Sequence, residues 1–259
     1  MADPTPTRTR RSPPPFRRLI VRTVDLLTPH MVRIVAGGDE LDGFTIAEPA
    51  ASVRVLIPAD DGSLEIPAWT GNQWERPDGS RPPVRTLTPR ALDIVGRELT
   101  LDVVLHERGA ASDWARRAAP GDEIAISGPA SGYSIDPMAS SFVLAGDEAA
   151  LPAIGQLLEW LPRSARIESH IEIGDAGAEQ QLPTHPQATV RWHVTRPGAT
   201  PGEAFATVIE SLEELPDAIW VAGEAAAVQR VRRHLFESRG LTRSAVSARG
   251  YWKYGRSAT

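Results

Sequence analysis

The chain of 259 residues contains no cysteine. That single absence excludes disulfides, thiolate metal sites, cysteine-ligated iron–sulfur clusters and a cysteine nucleophile. Redox chemistry would therefore have to come from a bound cofactor. No apolar run approaches the roughly 18 residues that a membrane span requires. The six histidines (His30, His106, His170, His185, His193, His234) lack metal-ligand spacing, so no protein metal site is expected. A Gly-x-Gly-x-x-Gly dinucleotide fingerprint is also missing. There is no excess of positive charge: 28 Lys and Arg stand against 33 Asp and Glu, a net charge of −5 at pH 7. Bulk attraction to nucleic acid is not expected, and an anionic ligand would need a local basic patch.

What remains is an ordinary globular composition, 41% hydrophobic, in a chain long enough for one large or two modest domains. Residues 1–15 form a basic, proline-rich start that reads as a disordered arm. It lacks the apolar stretch of a secretory signal, which points to the cytoplasm.

Residues 16–138 have β texture. Leu19–Val24 and Met31–Val35 are β-branched runs separated by Thr28-Pro29-His30, and Gly37-Gly38 closes the second. Ser52–Pro58 is a third strand, carrying Arg54. Residues 59–82 read as a long polar excursion with Trp69 and Trp74. In 98–106, Leu99, Leu101, Val103 and Leu105 alternate cleanly. A short helix follows near Ser112, and Gly121–Pro129 supplies a last strand. Short strands broken by turns predict an antiparallel barrel.

Residues 139–259 change rhythm. Strands are read at 141–146, 166–173, 189–194, 218–223 and 245–249, with helices between most of them. This alternation predicts a parallel, doubly wound sheet, which binds ligands beyond the carboxyl ends of its strands. Gly146-Asp147-Glu148 and Gly223-Glu224 lie at such ends.

Two arginines flank Thr86-Leu87-Thr88-Pro89. In an extended segment Arg85, Leu87 and Pro89 share one face, and Thr86, Thr88 and Arg90 the other. The proline marks a strand end or edge. The segment thus offers cations and a hydroxyl where a strand leaves its sheet, suited to a phosphate-bearing cofactor. The start of the helix near Ser112 offers backbone N–H groups for the same purpose.

The chain resembles the siderophore-interacting proteins, FAD-dependent ferric-siderophore reductases of the ferredoxin–NADP reductase superfamily. Arg85-Thr86-Leu87-Thr88-Pro89-Arg90 is similar to the family's Arg-x-Tyr-Thr-x-Arg flavin motif. His106 through Trp114 resembles its pyrophosphate loop. Gly146-Asp147-Glu148-Ala149-Ala150-Leu151-Pro152-Ala153-Ile154 and Gly250-Tyr251-Trp252-Lys253-Tyr254-Gly255 resemble its other two signatures. The resemblance implies a flavin-binding barrel over 16–138 and an NAD(P)H-binding α/β lobe over 139–259. FAD would be held by Arg85, Leu87, Thr88, Arg90, His106, Gly109, Ala110, Ala111 and Ser112, with Thr88 as the catalytic hydroxyl near the flavin. Gly146, Asp147, Glu148, Leu151, Gly223 and Glu224 would seat NADPH or NADH. A ferric siderophore would dock on Arg54, Trp252 and Lys253, and a monomer is expected. Two other readings stay open: a protein that binds siderophore or nucleotide without turnover, and a flavin reductase serving a protein partner.

One departure stands out. The family's tyrosine is Leu87 here, which removes ring stacking worth roughly 0.5–1.5 kcal/mol. Leu87→Tyr is therefore expected to tighten FAD binding about twofold to tenfold, measured by fluorescence titration.

Overall fold

The computed structural model describes residues 12–106 and 109–255, so most of the arm read over 1–15 lies outside the described residues. The first lobe contains β1 (Arg17–Thr28), β2 (Met31–Gly37), β3 (Val53–Leu56), β4 (Ala68–Trp69), β5 (Trp74–Glu75), β6 (Val84–Leu87), β7 (Pro89–Asp93), β8 (Glu98–Val104), α1 (Ala110–Arg117) and β9 (Glu123–Ser127). Seven of these strands form one antiparallel sheet in the order β6-β3-β9-β1-β2-β8-β7, while β4 and β5 make a small hairpin inside the polar excursion.

That strand order dictates the lobe's shape. β6 and β7 are the two edges of the sheet, yet only Thr88 separates them in sequence. In a flat sheet, six spacings of ~4.8 Å would put the edges about 29 Å apart. One residue spans only ~3.5 Å. The sheet must therefore curl until its edges meet, and Thr88 is the seam of the barrel. Alternate residues of the strands fill the interior, among them Leu19, Ile34, Val55, Leu101 and Ile126, all at most 1% exposed. Trp114 of α1 packs into the same core.

The second lobe contains β10 (Ser141–Asp147), α2 (Leu151–Trp160), β11 (Arg166–Ile173), β12 (Ala188–Val194), α3 (Glu203–Glu210), β13 (Ala218–Glu224), α4 (Ala225–Arg233) and β14 (Val246–Trp252). Its sheet is parallel, in the order β12-β11-β10-β13-β14. The α2 side chains Ile154, Leu157 and Leu158 cover one face, and α3 and α4 cover the other. The predicted order of barrel followed by α/β sheet is what the chain adopts.

Element ends differ from the sequence reading in ways that matter. β10 continues through Asp147, which pairs in register with Glu172, so the helical turn begins one residue later than read. β14 extends to Trp252, well past Arg249, because it stays paired with β13 to its end. α1 begins at Ala110 rather than near Ser112, with Gly109 as its N-cap at φ 147.

The lobes share a core. Met31 and Ala50 of the barrel lie in the same buried cluster as Ile154 and Leu157 of α2. Gln156 of α2, only 4% exposed, accepts from Ala50 N and donates to Pro89 O, both at 2.7 Å. His30 pairs with Asp175 at 2.6 Å, and Arg249 reaches Gly132 O at 2.5 Å. Gln156→Leu would remove two buried hydrogen bonds to the backbone, and a buried group left unsatisfied costs roughly 1–3 kcal/mol. Urea unfolding of this variant is expected to show a loss of at least about 2 kcal/mol, far above a typical surface substitution.

Candidate functional site

A cavity of about 550 Å³ opens between the β3–β6 excursion and α1. Its lining includes Arg76, Arg81, Arg85 and Arg117 against the two carboxylates of Asp60 and Asp113. In a chain of net charge −5 this is a local basic patch of the kind an anionic ligand requires. Arg85 reaches it from β6, with Nη1 donating to Val84 O at 3.0 Å, and burial pulls its guanidinium pKa below the ordinary value. Arg117 is steadied by Asp60 at 3.1 Å.

The N-terminus of α1 points into the same cavity through Ala110. The first intrahelical bond of this end is Asp113 N to Gly109 O, so Ala110, Ala111 and Ser112 have backbone N–H groups without intrahelical partners. The loop is clasped by Ser112, a fully buried hydroxyl that donates to His106 O at 2.8 Å and accepts from His106 N at 2.9 Å. Gly109 is required: its φ disfavours other residues, and a Cβ would sit 2.6 Å from the His106 ring. His106 and Ser112 thus shape the loop, and the donors are the backbone and the arginines. This set suits a diphosphate.

The seam lies one strand-length away along β6. Thr88 is 7% exposed, and its hydroxyl donates to the Tyr251 hydroxyl of β14 at 3.4 Å. Leu87 packs on the barrel core. Burial pushes the Tyr251 phenol up. Arg85, Thr88 and Tyr251 therefore form a line from the basic cavity to the contact between lobes.

The carboxyl edge of the parallel sheet is occupied by buried carboxylates, each turned onto a helical N-terminus. Asp147 accepts from Ala149 N in the 3-10 turn before α2. Glu172 accepts from Gly202 N, Ala204 N and Phe205 N at the start of α3. Glu224 accepts from Ala226 N and Ala227 N at the start of α4. Glu148 is held by Gly174 N at 2.8 Å, and burial pushes its pKa up. Burial raises the Asp147 pKa from 3.8 to about 7, opposed by hydrogen bonds from Trp252, Glu224 and Ala149.

Several sequence expectations need correction. Arg90 does not act beside Arg85. It forms a bidentate pair with Glu159 of α2 at 3.0 and 2.6 Å and lies over Gly155, where it clamps the lobes together. Leu151 is 2% exposed in the α2 core and presents nothing to a nucleotide. Glu224 is committed to α4 and to Tyr254 N, at 3.1 Å. Gly146 and Gly223 answer to packing: a Cβ on the first would meet Ala222 O at 2.3 Å, and on the second Asp147 Oδ2 at 2.5 Å. Arg54 pairs across strands with Thr86, so it lies on the face opposite Arg85 and Leu87. Trp252 and Lys253 sit exposed at the end of β14, and Trp252 donates to Asp147 at 2.7 Å. Arg76, Arg81 and Arg117 were missed, because nothing in their spacing links a polar loop to a helix. Tyr251 was visible inside a motif but carried no assigned role.

A curled antiparallel barrel closed at one residue, with a basic cavity, and a parallel lobe packed behind it define the ferredoxin-reductase-like fold. Two family models divide the chain: the siderophore-interacting FAD-binding domain matches residues 20–133, and the siderophore-interacting protein model matches 139–255. The chain belongs to the siderophore-interacting protein family. A siderophore utilization protein from T. fusca is 33% identical with a TM-score of 0.85, covering 96% of this chain and 97% of its own. An uncharacterized protein of Mycobacterium tuberculosis is 35% identical over 89% of this chain and 87% of its own length. The NADPH-dependent ferric-chelate reductase of Escherichia coli is 28% identical over 92% of each. No helix among the described residues is long and apolar enough to cross a membrane.

The raised Asp147 pKa carries a sign. Between pH 4 and about 7 the unfolded chain gives up this proton while the folded one keeps it. Its contribution to stability is full below that window and declines as pH rises to about 7, then stays low. The melting temperature of Asp147→Asn relative to the wild type is expected to rise from pH 5 to pH 8. A difference independent of pH would contradict the buried titration.

Proposed function

We propose that this chain is a flavin-dependent reductase that passes electrons from NAD(P)H through FAD to iron(III) held by a siderophore, releasing iron(II). The observation that carries the reading is the arginine-lined cavity joined by β6 to the Thr88–Tyr251 seam. One end suits a diphosphate and the other a flat ring at the lobe contact. Its family membership and the name of the reductase relative support the same activity.

Arg76, Arg81, Arg85 and Arg117 would neutralise the FAD diphosphate, and the first-turn N–H groups of α1 would donate to it. Thr88 and Tyr251 would border the flavin ring and keep water from that side. Bound FAD supplies the conversion between a two-electron donor and a one-electron acceptor. The nicotinamide donor would enter over the carboxyl edge of β10 and β13. That edge is internally capped by Asp147, Glu172 and Glu224, so the donor's phosphates are held elsewhere. Trp252 and Lys253 at the end of β14 would meet the ferric siderophore, with Arg54 as a more distant cation. Siderophore oxygens are hard ligands that favour iron(III), so reduction weakens the complex without a protein ligand to the metal. The setting we propose is the cytoplasm, where the nucleotide donor is held. A monomer is sufficient, because cavity and seam are built from one chain.

The purified protein is expected to be yellow or to become so with FAD, and to generate ferrozine-trapped iron(II) from a ferric siderophore with NADPH or NADH. Arg85→Ala should weaken FAD binding about tenfold to hundredfold, the loss of a charged hydrogen bond. Arg90→Ala should lower the melting temperature with a much smaller effect on FAD. Flavin uptake without iron reduction would favour a binding role, and no flavin uptake would overturn the proposal.

A further inference from the structure

Three N–H donors from three elements converge on the Asp147 carboxylate, which is 7% exposed. Oδ1 accepts from Ala149 N at 3.0 Å in its own turn. Oδ2 accepts from Glu224 N of β13 at 2.8 Å and from the Trp252 indole of β14 at 2.7 Å. Glycine at 223 makes this possible, since any Cβ there would lie 2.5 Å from Oδ2. The end of β14 is irregular at the same place. Gly223 pairs with Gly250 but Glu224 pairs with Trp252, leaving Tyr251 as the extra residue of a bulge. Bulges re-aim side chains, and this one directs Tyr251 to Thr88 across the lobe contact. The chain beyond the bulge is pinned twice: at Trp252 by Asp147 and at Tyr254 N by Glu224.

We infer that Asp147 is a positioning residue: by gripping the Trp252 indole it fixes the bulge that presents Tyr251 to Thr88 at the flavin edge, and its ionisation sets the strength of that grip. The link to flavin rests on the proposed function, whereas the grip itself belongs to the protein alone.

The surroundings determine the direction. Burial, with Glu172 beside it on β11 adding in the same direction, lifts Asp147 to about 7. Glu224 on β13, Glu148 in its own turn and Asp175 just beyond β11 are further carboxylates at this edge, and Glu224 and Glu148 accept from backbone N–H groups. From β14 comes the Tyr251 phenol, itself raised by burial and by Asp147. The one charged residue of α2, Glu159, is engaged by Arg90. An ionised carboxylate accepts from an indole N–H more strongly than the neutral acid. The grip therefore tightens as pH rises through about 7 and slackens below it.

The test uses the full chain without added nucleotide. The indole N–H resonance of Trp252, identified by its loss in Trp252→Phe, is followed by NMR from pH 5.5 to 8.5. It is expected to shift with a midpoint near 7 in the wild type and to stay flat in Asp147→Asn. FAD affinity, measured across the same range, is expected to tighten about fivefold with rising pH in the wild type. In Trp252→Phe, which removes an exposed indole and leaves the carboxylate, that dependence should shrink to less than twofold. An indole resonance that does not titrate overturns the grip. A titrating indole with pH-independent FAD affinity overturns its reach to Tyr251. Failure of every variant and the wild type to take up FAD counts against the reductase reading instead, and the indole titration then decides the grip by itself.

Discussion

Barrel closure at a single residue is the constraint from which the rest of this structure follows. Because β6 and β7 are opposite edges of one sheet and only Thr88 lies between them, the sheet cannot flatten while its hydrogen-bond ladders hold. The closed sheet fixes where Arg85 stands relative to Thr88, and hence the distance from basic cavity to seam. It also buries Pro89, whose carbonyl accepts from Gln156 of α2. The second lobe is thus anchored at the point where the first one closes.

That anchoring explains why the lobe contact is polar and yet firm. A purely apolar contact between barrel and helix would allow sliding. Gln156 reads two backbone groups, and Arg90 reads Glu159 in a two-pronged geometry, so register as well as proximity is set. Surface ion pairs contribute little on their own. Arg90 differs because it is largely covered and lies in a slot that only glycine at 155 leaves open.

Much of this could be read in advance, and the reasons are physical. Alternation in 98–105 and β-branched runs around Val21 and Val32 report half-buried strands, so the barrel was legible. Strand–helix alternation after residue 139 reported the parallel sheet. The place of Arg85 and Thr88 at the end of one strand was legible from strand periodicity and one proline, and their link to a flavin came from the family resemblance. Arg90 was misread because sequence shows a cation but not the carboxylate across the lobe contact that claims it. Leu151 and Glu224 failed for a similar reason: a residue at a strand's carboxyl end has the address of a ligand contact, but core packing or a helix cap can take it first. Arg76, Arg81 and Arg117 come from a loop and a helix whose meeting is purely tertiary, which no local pattern encodes.

The gathering of those arginines has a thermodynamic consequence. Four like charges from the excursion, β6 and α1 converge only when the lobe is folded, and Asp60 and Asp113 balance them in part. In the unfolded chain they are dispersed and solvated. A bound dianion would meet this gathered cluster in the folded state and not in the unfolded one, so ligand and fold become linked equilibria. At a free ligand concentration of about 100 times its dissociation constant, such linkage adds roughly 2.7 kcal/mol to stability. With FAD as the ligand, as proposed, the lifetime of the protein would depend on cofactor supply.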